Sequence, residues 1–323
     1  MRIPGIHWLA LALLALATTC VGLWLAPASQ SATSAPWGRD YFPNTELIDQ
    51  DGHHVRFFDD LIEGKVVAIN FIFTSCGDTC PLETARLRQV QKLLGDRVGR
   101  DIHFYSISID PLHDTPEVLK DYAAKFQVAP GWQFLTGDYD EITQLREKLG
   151  LLAPGDDPGN LKQHNLSLVV GNQATGEWMK VSPFENPYIL ADKLGNGLQN
   201  WSKANPASRS YAEAPVIRPP SNGEQIFRTR CSACHTLGPQ DGELGALRGV
   251  GPDLLGVTRQ RDHQWLARWL KEPDRMLAEQ DPLATNLFQQ YNKVTMPNLQ
   301  LTGPDIQALI QYMDDETLRQ VKR

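Results

Sequence analysis

The apolar positions of the chain follow one period in its first two thirds and another in its last third. KVVAINFIF, Lys65 to Phe73, is a continuous β-rich apolar run, the pattern of a strand buried on both faces. PLETARLRQVQKLL follows; Pro81 suits a first helical position, and Leu87, Val90 and Leu94 fall on one helical stripe. IHFYSISID, Ile102 to Asp110, predicts a second strand. DTPEVLKDYAAKF then opens with a capping signature, with Asp114 or Thr115 as the cap, Pro116 early and Glu117 in the first turn. WQFLTG predicts a short third strand, and DYDEITQLREKLG a helix that Gly150 can end. Leu166 to Phe184 reads as a hairpin around Asn172 to Gly176, and a last helix is expected over Tyr188 to Leu198. Strand–helix alternation closed by a hairpin predicts a mixed sheet covered by helices.

After Asn222 the strand signals stop. HQWLARWLKEP, His263 to Pro273, and TGPDIQALIQYMDDE, Thr302 to Glu316, carry a helical period, so this part reads as a small all-α domain. Between the two patterns, Asn200 to Asn222 is rich in Pro, Ser and Ala and reads as a linker. SQSATSAPWGR, residues 29–39, reads as a tether. The expected layout is an N-terminal segment 1–28, a tether 29–39, an α/β domain 40–199, a linker 200–218 and a helical domain 219–323. No internal repeat is visible.

The N-terminal segment contains Trp8 to Ala26, 19 residues without a charge. That is close to the minimum for spanning a bilayer and long for a signal-peptide core. An uncleaved anchor is the preferred reading, with cleavage near Ala26 and Ala28 as the alternative. Both place the rest of the chain on the exported, periplasmic side. Cys20 reads as an ordinary apolar residue of this segment, since Ala17, Thr18 and Thr19 make a poor lipobox.

Length and composition add bounds. The 323 residues suggest about two domains. A content of 41% hydrophobic and 21% charged residues is ordinary for globular protein. A net charge of −7 argues against nucleic-acid binding, which favours a basic face. Apart from Cys20, the cysteines form two close pairs, Cys76 with Cys80 and Cys231 with Cys234. As disulfides such pairs would close very short loops and add little stability, so the spacing favours chemistry.

RCSACHTLG places Cys231, Cys234 and His235 in a C-x-x-C-H arrangement, the attachment site of a c-type haem. The two thiols form thioethers with the haem vinyl groups, and the adjacent imidazole reaches the iron from the proximal side. A zinc half-site would need two further ligands, and this half of the chain offers only His263 and acids. For the opposite face of the iron, Met296 in VTMPNLQLTG is the candidate, because Met/His ligation suits electron transfer. Met276 and Met313 lie in helical apolar patterns and are expected in the core.

FTSCGDTCP, Phe73 to Pro81, sits where a buried strand turns into a helix, a common address for reactive groups in α/β folds. A helix N-terminus favours thiolate over thiol there. Two thiolates suit Cu(I), and they can equally attack a disulfide. His164, just before the hairpin, is the candidate third donor for copper; its bland reading is a surface loop histidine, as for His53, His54, His103 and His113. Asp78 either caps the following helix or tunes the thiolates. A thioredoxin- or peroxiredoxin-like redox enzyme is disfavoured by the three-residue gap and by the lack of a third cysteine in the domain.

Two resemblances follow from these motifs. Residues of about Tyr41 to Gln199 resemble the Sco/SenC family, thioredoxin-fold copper proteins that assist assembly of the copper centre of cytochrome c oxidase. The similarity rests on NFIFTSCGDTCPLETARL, SISIDPLHDTPEVLKDYAAKF, FLTGDYDEITQLREKLG and the His before LSLVV. It implies Cys76, Cys80 and His164 as copper ligands, Cys76 and Cys80 as a redox dithiol, and the oxidase subunit carrying the dinuclear copper centre as recipient. Gly77 and the KQHNLS context of His164 depart from the usual pattern. Residues of about Pro219 to Arg323 resemble class I-type cytochrome c through GEQIFRTRCSACHTLG, GVGPDL and MPNLQLTGPDIQALIQYM. This implies Cys231 and Cys234 as haem attachment, His235 as proximal and Met296 as distal ligand. Together they suggest a copper chaperone in a membrane-anchored chain, or a thiol–disulfide reductase, or a haem electron carrier. Reduction of bound Cu(II) by single electrons from the haem is the expected reason for the fusion.

Overall fold

The chain from Glu46 begins with a strand that the apolar run at Lys65 does not announce. β1 (Glu46–Asp49) and β2 (His54–Arg56) form a hairpin across Asp51 and Gly52, pairing Leu47 with Val55. One wide helical turn, Phe57–Ile62, then buries Phe57, Phe58, Leu61 and Ile62 and delivers the chain to β3 (Val66–Ile72). Every residue of β3 is buried, as its unbroken apolar run requires. The description covers residues 38–77, 79–161, 165–199, 219–238 and 250–321 of a computed structural model. The expected membrane segment, the tether, the 200–218 linker, Asp78 and His164 lie outside the described residues. Among the described residues no helix is long and apolar enough to cross a membrane.

α1 (Thr79–Leu94) follows β3, then β4 (Ile102–Ser108), α2 (Pro116–Lys125), β5 (Trp132–Gly137) and α3 (Tyr139–Lys148). β6 (Leu168–Asn172) and β7 (Glu177–Val181) make the expected hairpin, and α4 (Pro187–Gly195) ends the domain. The sheet runs β2-β1-β5-β4-β3-β6-β7. Its three central strands are parallel, and the flanking ones join antiparallel. This is the mixed, helix-covered sheet that the pattern predicts. Thr115, rather than Asp114, caps α2, its Oγ1 accepting from the Val118 N–H. Pro81 is not the first residue of α1, which starts at Thr79. A third-position proline is tolerated because the N–H groups of the first turn have no helical partner.

The helical domain contains α5 (Asn222–Ile226) with a wide turn, Phe227–Cys231, then α6 (Val257–Gln260), α7 (His263–Lys271), α8 (Pro273–Ala278), α9 (Pro282–Gln290) and α10 (Gly303–Val321). α5 crosses α10 so closely that a Cβ on Gly223 would lie 2.0 Å from the Ala308 carbonyl oxygen. Ile226, Phe227, Leu266, Leu270, Ile306, Leu309 and the 1% exposed Met313 form this domain's core. Met276 is equally buried, as expected of both methionines. The larger core of the sheet domain continues into the helical domain through Ala233 and Val250.

Candidate functional site

Cys76 lies in the loop leaving β3, where its N–H donates to the Phe73 carbonyl at 3.2 Å. Cys80 is the second residue of α1 and is fully buried, while Cys76 is half-buried. Neither is in a disulfide. The Cys80 N–H, at the helix N-terminus, points to the Cys76 sulfur at 3.5 Å, the placement that favours a thiolate on Cys76. The Cys80 thiol is pushed far above the usual range, first by its hydrogen bond to Cys76 and then by burial. The pair is therefore asymmetric, with one sulfur reachable and one withheld.

Asp114 fixes the loop before Cys76. It is 1% exposed, accepts from the Thr74 N–H at 3.1 Å and the Thr74 hydroxyl at 2.5 Å, and accepts from Ser108 Oγ at 2.6 Å. Rather than capping α2, it ties Thr74, just after β3, to Ser108 at the end of β4. A buried polar chain approaches from the sheet. Trp132 Nε1 donates to Ser106 Oγ, Ser106 Oγ to Asn70 Oδ1, and Asn70 Nδ2 to Glu83 Oε1. Glu83, one turn after Cys80, leaves Oε2 without a hydrogen-bond partner. Burial pushes its carboxyl up to about 8, the Asn70 bond works against this, and the Cys76 charge adds to it.

Among the described residues no third His, Cys, Asp or Glu joins the two thiols in a metal-holding group. The expected third donor, His164, lies outside the described residues. Among the described residues His53, His54, His103, His113 and His263 join no metal-holding group with the thiols. His53 pairs with Asp49, His54 with Glu46 and His113 with Asp110, while His103 stacks on Tyr105 and His263 starts α7.

The second site is a cavity of about 390 Å³ that brings Cys231, Cys234, His235 and Met296 together. Trp265, Trp269, Leu270, Leu309 and Met313 supply apolar wall. His235 Nδ1 donates to the Pro252 carbonyl at 2.9 Å, so Nε2 keeps its lone pair free for a metal. Burial lowers this imidazole below its ordinary value, which keeps it neutral. Burial also pushes both thiols, Cys231 and Cys234, up to about 12. Gly251 lies flat under the ring, where a Cβ would sit 2.7 Å from His235 Cε1. Asp253 orders the following loop by accepting from Thr236 Oγ1 and from the N–H groups of Gly238 and Leu255. Two sulfurs, a neutral imidazole and a thioether facing one apolar cavity fit a covalently attached haem with His/Met ligation.

One member of the cavity wall comes from the other domain. Leu82, two residues after Cys80, lines it. Further along α1, Arg86 Nη2 donates to the carbonyls of Thr229 at 3.0 Å and Arg228 at 3.3 Å, and Gln89 Nε2 to that of Ser232 at 2.7 Å. The sequence reading singled out none of Leu82, Glu83, Arg86 and Gln89. Their only signal was Arg and Gln at helical spacing, which reads equally as a solvated face.

Residues 36–197 match the family model described as SCO1/SenC, and residues 220–316 that of cytochrome c. A "SCO2-like protein" of Rickettsia felis is 34% identical over 140 residues, 42% of this chain; the chain spans 65% of that relative's length. The structure of Bradyrhizobium japonicum ScoI with copper bound aligns at 26% identity and a TM-score of 0.39, covering 46% of this chain and 94% of that one. The cytochrome c domain of the pp3183 protein from Pseudomonas putida is 58% identical, covers 30% of this chain and 89% of its own, and gives a TM-score of 0.26.

Proposed function

We propose, from the premise that the chain belongs to the SCO1/SenC family, that it carries copper on Cys76, Cys80 and His164 for delivery to the copper-centre subunit of cytochrome c oxidase. The observation that carries this reading is the asymmetric, reduced dithiol at a helix N-terminus. Two adjacent thiolates prefer Cu(I), and a half-buried Cys76 leaves one side of the cargo open to a recipient. In the same reading Cys231 and Cys234 hold a haem c, with His235 proximal and Met296 distal. Such a haem would supply single electrons next to the copper site. Both domains are placed on the exported side behind an anchor formed by residues 8–26, a reading supported by that segment's length and lack of charge.

Metal and haem analysis of the exported full chain tests the assignment. The expected content is one copper and one haem per chain. Cys76→Ser should lose the copper and keep the haem; a variant that keeps its copper removes the dithiol site.

A second reading, thiol–disulfide reduction of the recipient's cysteines, is favoured by the same asymmetry, since a reachable thiol next to a withheld one is the arrangement of attacking and resolving thiols. His164→Ala separates the two. Copper delivery should collapse with the lost ligand, whereas dithiol reduction should survive because both thiols remain. If neither changes, the Cys₂His site is wrong.

A further inference from the structure

Arg86 is a buried cation that the copper chemistry does not use. It is 2% exposed and sits on α1 six residues after Cys80, about 9 Å along the helix axis. Its Nη1 donates to Gln89 Oε1 at 2.9 Å and its Nη2 to the two carbonyls just before the haem-attachment cysteines. Its Nε has no partner, and no carboxylate among the described residues pairs with it. Burial lowers the guanidinium from its ordinary value, and Cys231 and Cys234 are close enough to act on it electrostatically. Arginine nevertheless stays charged in proteins. Its acceptors, the Gln89 amide oxygen and two backbone carbonyls, are all neutral. Arg88, the next cation on the helix, donates to Gln127 of the sheet domain and also acts electrostatically on Cys234.

A buried cation is costly unless hydrogen bonds compensate it, and for Arg86 those bonds come from the loop that carries Cys231 and from its own helix. We propose that Arg86 of the copper-carrying helix sets the potential of the haem held by Cys231 and Cys234 and fixes the attachment loop against that helix. Ferric haem carries one more positive charge than ferrous haem. A fixed cation in a low-dielectric wall therefore disfavours the ferric form and raises the reduction potential. A unit charge about 12 Å from a redox centre, at an effective dielectric near 20, shifts a one-electron equilibrium about tenfold. Arg86 acts through the protein and is a positioning residue. The sheet domain would thus tune the redox centre of the helical domain through α1, with Arg86 as its nearer, hydrogen-bonded cation and Arg88 also acting on Cys234. The inference rests on the haem attachment proposed above.

The test is a spectroelectrochemical titration of the haem in the full-length holoprotein. Arg86→Gln removes the charge, Arg86→Lys keeps the charge and loses the fork, and Arg275→Gln is a surface control on α8. The expected result is a fall of about tenfold in the reduction equilibrium for R86Q, which is 59 mV for a one-electron couple. R86K and R275Q should stay near the unmodified protein. Equal falls in R86Q and R86K would overturn the electrostatic assignment, because the fork alone would then matter. An unchanged R86Q overturns it outright. If R86Q does not fold, Arg86→Met, which keeps the aliphatic stem, replaces it with the same two outcomes. Absence of a covalent haem shows first in the haemochrome spectrum and overturns the attachment at Cys231 and Cys234 itself.

Discussion

Replacing Glu83 with Gln addresses the electrostatics beneath the thiol pair. Glu83 is fully buried, accepts one hydrogen bond from Asn70 at 2.8 Å and has no partner for Oε2. Burial pushes its carboxyl from 4.5 up to about 8. Between these values the folded protein keeps a proton that the unfolded chain has released. Stability contributed at this position is therefore fully present below about pH 4.5, falls as pH rises towards about 8, and is lost above that. At about 1.4 kcal/mol per unit, the whole window is worth at most about 5 kcal/mol. Glutamine has nearly the same shape, keeps an oxygen for Asn70 and does not titrate. The variant should match the unmodified protein near pH 5 and gain on it by about 2–4 kcal/mol by pH 8. Urea unfolding of the reduced, copper-free chain across that range measures the difference. A difference that stays constant from about pH 5 to about pH 8 would refute a raised carboxyl at Glu83.

Three further outcomes follow from the same geometry. Asp114→Ala leaves the Thr74 N–H and two hydroxyls without their acceptor and should cost about 2–4 kcal/mol, read from the urea midpoint; a loss under about 0.5 kcal/mol would mean the loop before Cys76 is held by other contacts. Gly251→Ala drives a methyl group into the His235 ring, so haem content per chain in a haemochrome assay should drop several-fold, and full incorporation would show that the ring has room to move. In the copper-free reduced chain, alkylation at neutral pH should modify Cys76 at least tenfold faster than Cys80, whose thiol is withheld by burial and by Cys76; equal rates in the single Cys→Ser variants would remove the asymmetry on which both functional readings draw.

The central sheet was legible because β3 and β4 carry the strongest available signal, runs of apolar β-formers in which Asn70 alone interrupts β3 and His103, Ser106 and Ser108 are spaced along β4. β1 and β2 escaped for the converse reason. They are four and three residues long, and only Leu47 and Val55 at matching positions, with Asp51–Gly52 between them, mark the hairpin. Local capping rules could name Asp114 and Thr115 together but could not divide them. The division is tertiary: Thr115 takes the cap because Asp114 is already engaged by Thr74 and Ser108 from two strands. The haem motif was legible without any fold, since Cys231, Cys234 and His235 are adjacent in sequence. Met296 is 61 residues beyond His235, and only the fold brings both into the wall of one cavity.

The helix after Cys80 shows where sequence patterning runs out. Leu87 and Val90 pack into the sheet domain as their stripe predicts, and by amphipathic logic Glu83, Arg86, Arg88, Gln89 and Gln91 belong to a solvated face. All five are buried. Each has a partner of a kind that periodicity does not encode. Glu83 meets Asn70, Arg88 meets Gln127, Gln91 meets the Ala129 carbonyl, and Arg86 and Gln89 meet carbonyls of the haem-attachment loop. Long polar side chains can be buried when their donors find backbone oxygens, and a second domain seated on the helix supplies those oxygens. The same residues that look like solvent contacts in a lone α/β domain become an interface once the helical domain is present. Buried hydrogen bonds to the Arg228, Thr229 and Ser232 carbonyls describe a seated interface. The helix that begins at the thiol pair is thereby the one that holds the carbonyls on either side of Cys231, through Arg86 and Gln89 six and nine residues after Cys80.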